Sequence, residues 1–77
     1  MEYESNSFNE DLYYAYINEK KVVIFCPVPY MNGKGSKEII GKIIGLNILG
    51  NYCRVRTNSG YRISFDTRYI ARIEIYD

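Results

Sequence analysis

The hydrophobic positions follow a helical period over the first part of the chain. The apolar residues at helical spacing are Phe8, Leu12, Ala15 and Tyr16. Together they form one stripe, which predicts a short amphipathic helix over residues 7–18 behind a polar tail over 1–6. A helix of this length is marginal alone, so the stripe packs either against the chain's own core or against a partner protein.

The start of this helix carries a capping signal. Ser7 is followed three residues later by Glu10, the spacing at which a Ser hydroxyl and a Glu carboxylate satisfy free N–H groups of the first turn. Glu10 and Asp11 also complement the positive end of the helix dipole, and Lys20 and Lys21 follow its negative end. We therefore expect the helix to begin near Ser7 and to end before Lys20.

After Lys20 the period changes to two and β-branched residues become frequent, which is typical of strands. The predicted strands cover residues 22–26, 38–47, 52–57, 61–66 and 70–76. Pro27 ends the first strand, and a loop rich in Pro, Gly and Asn follows it. Asn58-Ser59-Gly60 predicts a compact hairpin turn, and Thr67-Arg68-Tyr69 a single short turn.

Two glycines inside the second predicted strand suggest how the sheet is shaped. Gly41 and Gly45 stand four residues apart, and glycine within a strand marks a bend or a close backbone approach. Bent strands curl a small sheet into a barrel, which also removes exposed edges. We expect one mainly β domain over 1–77: a five-stranded small barrel over 20–77 with the short N-terminal α-helix.

The turn at Asn58–Gly60 fixes a register between the third and fourth strands. It places Val55 opposite Ile63, Arg54 opposite Ser64, and Arg56 opposite Arg62. Because side chains alternate along a strand, the apolar pair lies on a core face and the arginines lie on a solvated face. Tyr52 is expected on that same solvated face.

The second half of the chain carries a pattern seen in known small barrels. The pattern comprises residues 41–47, 52–55, 60–66 and 70–75. It resembles the strand pattern of the SH3-like and Sm-like small β-barrels and of the bacterial YolD-like proteins. Tyr69-Ile70 stands where the Sm family has an Arg-Gly pair before the fifth strand. The resemblance therefore implies the architecture and no binding residues.

Charge is divided unevenly along the chain. The first nineteen residues hold five acidic residues and no basic one, a formal charge of −5, whereas residues 20–77 carry +6. The net charge of +1 hides this division. A basic body with an acidic arm favours a polyanionic partner, and the acidic helix either covers the basic face or leaves it open.

The residues for common catalytic and metal chemistry are missing. The chain has no His and only two Cys, which make no zinc set, and Gly33-Lys34-Gly35-Ser36 lacks the spacing of a phosphate loop. We expect no enzyme, no metal and no cofactor. Cys26 and Cys53 fall in apolar runs and are expected to be buried reduced thiols. No signal peptide or membrane-spanning run is visible, which favours a cytoplasmic protein.

These patterns favour a small non-enzymatic binding module whose partner is nucleic acid or an acidic protein surface. Tyrosines interleaved with arginines on a sheet face are typical of single-strand binding, where stacking adds to backbone charge. The residues expected to contact nucleic acid are Arg54, Arg56, Arg62, Tyr52, Lys42, Lys34 and Lys37.

The alternative is a protein-interaction module, since Tyr and Arg are also enriched at protein interfaces. The small size and biased composition are typical of an inhibitor or adaptor that is encoded by a phage or mobile element and binds a host protein. A symmetric homo-oligomer formed through exposed strand edges or through the second apolar face of the second strand is a third alternative. The residues assigned to a protein interface are Phe8, Leu12, Tyr16, Tyr30 and Met31.

Overall fold

The computed structural model describes residues 8–27 and 36–76 as one helix and five strands. A short 3-10 turn, Thr67–Tyr69, joins the last two strands. In chain order the elements are α1 Asn9–Ile17, β1 Lys21–Pro27, β2 Ser36–Asn47, β3 Tyr52–Thr57, β4 Arg62–Asp66 and β5 Arg72–Tyr76. The five predicted strands are therefore all present, with ends that differ by at most two residues.

The strands form one antiparallel sheet in the order β4-β3-β2-β1-β5. This confirms the mainly β class with an N-terminal helix, but the sheet is open. β4 and β5 lie at its two edges and do not pair with each other within residues 36–76. The 3-10 turn carries the chain across to β1, where the Ala71 N–H donates to the Phe25 carbonyl at 2.8 Å.

The two glycines of β2 have different roles. At Gly41 the strands approach so closely that an added Cβ would overlap the Arg56 carbonyl oxygen. Near Gly45 the pairing with β3 shifts by one residue, so that Ile44 is the extra residue of a bulge. Because of this bulge, Leu46 points to the core although it follows Ile43 by three residues.

The core lies on one face of the sheet and is closed by α1. Val22 and Ile24 of β1 and Val55 of β3 are fully buried there, together with Leu12 and Ala15 of the helix. α1 packs mainly against β2. Of the two interpretations of the helical stripe, packing within the chain's own core is the one that the structure shows.

The helix ends in a Schellman motif. The Lys20 N–H donates to the Ala15 carbonyl at 2.9 Å, and the Glu19 N–H donates to the Tyr16 carbonyl at 3.3 Å. Glu19 adopts a left-handed φ of 53° to close this turn. At the other end Phe8 occupies the N-cap position without a side-chain cap; Ser7, the predicted cap, lies outside the described residues.

Candidate nucleic-acid interface

The strand register brings four basic side chains into one row on the face opposite the core. Lys21 of β1 pairs with Lys42 of β2, Lys42 pairs with Arg56 of β3, and Arg56 pairs with Arg62 of β4. We call these four residues the basic row. Neighbouring strands lie about 4.8 Å apart, so the row crosses the sheet over about 14 Å.

The cations of the basic row are open to solvent. All four residues are exposed, and none of them forms an ion pair with a residue of the described ranges. Like charges that face each other across a sheet repel, at a cost below about 1 kcal/mol per pair. The three successive pairs therefore cost the fold little stability, although no carboxylate of the described ranges forms an ion pair with the row.

Aromatic and polar side chains border the basic row. Tyr76 pairs with Lys21 at the β5 end of the row. Arg54 stands two residues before Arg56 on the same face, and its Nε donates to the Ser64 hydroxyl at 3.2 Å. The Tyr52 hydroxyl lies 3.3 Å from the same Ser64 oxygen. Tyr52 as a whole is 37% exposed. The row is thus flanked by tyrosines that present part of their rings to solvent.

Two carboxylates on the same face of the sheet as the row, Asp66 and Glu74, are engaged by other residues. Asp66 forms an ion pair of 2.7 Å with Arg68, and the hydrogen bonds from Arg68 lower the pKa of Asp66 to about 2. Glu74 is bound by Arg72 and by the Tyr76 hydroxyl at 2.9 Å, and the Arg72 hydrogen bond lowers the pKa of Glu74. Both carboxylates therefore stay ionised near neutral pH without neutralising the row.

A cleft opens between the end of α1 and the middle of the sheet. Its volume is about 530 Å³. The residues that line it are Tyr16, Ile17, Glu19, Lys42, Ile43, Ile44 and Arg56. Since Lys42 and Arg56 belong to the basic row, the cleft opens directly beside it.

The acidic helix leaves the basic row uncovered. Glu10 and Asp11 lie exposed in the first turn of α1. Glu19, in the turn that follows the helix, lines the cleft beside the row. The question left open by the sequence, whether the helix covers the basic face, is settled for the residues that the structure describes: Arg54, Arg56 and Arg62 stay exposed.

The structure brings most of the predicted basic site together. Tyr52, Lys42 and the three predicted arginines share one face, and the predicted pairing of Arg56 with Arg62 is confirmed. Lys37 lies elsewhere, since it pairs with Cys26 and points to the core side of β2. It stands five residues, or about 16 Å, from Lys42. Lys34 lies outside the described residues.

Lys21 was not among the residues predicted for this surface. A turn of fixed length set the pairing of β3 with β4, whereas β1 and β2 are joined by a long segment from which no register can be derived. Only the observed pairing of Lys21 with Lys42 places it in the row. The available signal was the change of hydrophobic period after Lys20, which placed Lys21 directly before the first predicted strand.

The residues assigned to a protein interface are mostly part of the core. Leu12 is fully buried, while Phe8 and Tyr16 are half-buried against the core. Leu12 is therefore inaccessible to a partner while the helix is docked, because the Leu12 side chain packs into the core of the sheet. Tyr30 and Met31 lie outside the described residues.

The two cysteines are free and buried, as predicted. Burial raises the pKa of Cys26, and burial together with the neighbouring Cys26 raises the pKa of Cys53 to about 12. Both thiols are therefore protonated near neutral pH and unsuited to nucleophilic chemistry.

Two further features are absent from the part of the chain that the structure describes. No group of three or more Cys, Asp or Glu side chains could hold a metal ion there. Among these same residues, no helix has the length and apolar character to cross a membrane.

Comparison with known proteins adds no family to this description. No protein family matches the sequence, and neither the curated proteins nor the solved structures include a significant match. The resemblance to Sm-like and YolD-like proteins therefore stays a prediction.

Proposed function

We propose that this protein is a non-enzymatic module that binds nucleic acid through the basic row. The observation that carries the proposal is the alignment of Lys21, Lys42, Arg56 and Arg62 across four adjacent strands without an ion pair in the described ranges. A ligand with several negative charges in line relieves all three repulsive pairs at once. The phosphate backbone of a nucleic acid is such a ligand.

The side chains around the row favour a single strand over a duplex. Tyr52 is 37% exposed on the face that carries Arg54 and Arg56, and Tyr76 is 50% exposed opposite Lys21. Unpaired bases stack on exposed aromatic rings, while cations follow the backbone. In a duplex the bases are already stacked, so the tyrosines would add little.

The alternative of a protein partner rests on weaker features of this surface. Protein interfaces draw most of their affinity from buried apolar or aromatic anchors at the centre and place charges at the rim. The centre of the basic row consists of charges alone, with its tyrosines at the border. We therefore favour nucleic acid over an acidic protein surface.

Charge reversal within the row is the direct test. The double variant R56E/R62E should lose retention of single-stranded oligonucleotides at low salt, because two phosphate contacts become repulsive. Binding is measured by fluorescence anisotropy with labelled oligonucleotides of mixed sequence, single-stranded and duplex.

The matched control is K37E, which reverses an exposed cation on the other side of β2. It should bind nearly as the unaltered protein does, and circular dichroism should show both variants folded. If the unaltered protein retains no oligonucleotide at low salt, or if K37E weakens binding as much as the double variant, the proposal fails.

A further inference from the structure

The cleft beside the basic row combines three kinds of chemistry. Tyr16, Ile43 and Ile44 supply aromatic and aliphatic walls, and Ile44, which follows the buried Ile43 and faces the other side of β2, is 37% exposed. Lys42 and Arg56 supply positive charge. Glu19 supplies a carboxylate, and it forms no ion pair with either cation among the described residues.

Glu19 is difficult to explain by stability. It occupies the left-handed position of the Schellman motif with φ 53°, where glycine is the usual residue because it has no Cβ. It also puts a negative charge at the negative end of the helix dipole, where cations are favoured. Positions that break local rules are often functional ones, and this carboxylate lines the cleft.

We propose that the cleft binds the base of one unpaired nucleotide, with guanine preferred, in a strand held on the basic row. This inference rests on the proposed function, since Lys42 and Arg56 would hold the adjoining phosphates. A volume of about 530 Å³ accommodates a purine. Tyr16 and Ile44 would lie against the faces of the base.

The carboxylate of Glu19 selects the base. Guanine presents two neighbouring donors, N1–H and the N2 amino group, that match the two oxygens of a carboxylate. Adenine and cytosine place a ring-nitrogen acceptor beside their amino group, and thymine flanks its N3–H with two carbonyl oxygens. Those acceptors repel the second carboxylate oxygen, so only guanine forms a bidentate pair with the Glu19 carboxylate.

The test compares oligothymidylates that carry one central guanine, adenine, cytosine or thymine. The guanine probe should bind the unaltered protein roughly tenfold more tightly than the thymine probe, the range of one bidentate base contact. E19Q should lose this preference while it still binds the thymine probe, because Gln keeps one acceptor and exchanges the other for a donor. E10Q, which removes an exposed carboxylate from the start of the same helix, should keep the preference.

The outcomes separate this inference from the proposed function. Equal binding of all four probes by the unaltered protein, or a guanine preference that survives in E19Q, overturns the base site and leaves the basic row in place. Failure of every probe to bind overturns both. A thermal melt of E19Q shows whether this variant is folded. I44E places a charged side chain in the cleft and should also abolish the guanine preference.

Discussion

Individual residues show where the local conformation departs from what stability alone would select. Glu19 and Asn51 are the non-glycine residues with positive φ in the described ranges, at 53° and 56°. Asn tolerates this conformation, since its short side chain can hydrogen-bond locally. Glu lacks this local hydrogen bond, so the left-handed conformation of Glu19 costs conformational energy. A functional role of the side chain would explain why Glu is present at this position.

Replacing Glu19 with glycine should therefore stabilise the protein. We expect E19G to raise the free energy of unfolding by about 0.5–1 kcal/mol, because it relieves the left-handed strain and the unfavourable charge at the helix end. The measurement is urea unfolding followed by circular dichroism.

The control for E19G is E10G, which places glycine within the first turn of α1 and removes a favourable charge there. It should lower the free energy of unfolding by about 1 kcal/mol. A loss of stability in E19G would show that Glu19 makes contacts that support the fold, and it would weaken the functional explanation of this residue.

Among the elements, β2 has the greatest influence on the shape of the sheet. It pairs with both β1 and β3, and it carries the close approach at Gly41 and the bulge near Gly45. The row depends on this strand, because Lys42 lies between the two glycines and links β1 to β3.

The two glycines should respond differently to substitution by alanine. G41A should destabilise the protein by about 1–3 kcal/mol, the range for forcing extra atoms into a packed site, because its Cβ would overlap the Arg56 carbonyl. In G45A the nearest side-chain atom, Cβ of Arg54, lies at an ordinary 3.6 Å. Urea unfolding of both variants tests this, and equal effects would contradict the assignment of the close approach to Gly41.

The elements also show how far the sequence alone could lead. The strands were predictable because their alternating pattern is local, and the β3–β4 register was predictable because a short turn at Asn58–Gly60 allows few alternatives. The open form of the sheet was not predictable, since closure of a barrel depends on whether β4 and β5 pair with each other on either side of Thr67–Tyr69. Lys21 was not among the predicted site residues, because only the β1–β2 register places it beside Lys42. Lys37 was predicted as auxiliary positive charge, and the structure places it on the other face of β2 from Lys42.

In the molecule as a whole, the acidic and basic segments of the sequence contribute charge to different surfaces. The acidic segment contributes a helix that closes the core and keeps Glu10 and Asp11 in solvent, away from the face of the sheet that carries the row. The positive segment aligns four cations on that face. The net charge of +1 therefore describes neither surface that a partner would meet.

The salt dependence of oligonucleotide binding tests the basic row most directly. If each cation of the row neutralises a phosphate of a single strand, replacing Lys21, Lys42, Arg56 or Arg62 one at a time with Gln should lower the magnitude of the slope of log affinity against log salt by about 0.7. K37Q should leave the slope unchanged. Equal slopes in all five variants and the unaltered protein would contradict the assignment of the row as the phosphate-binding surface.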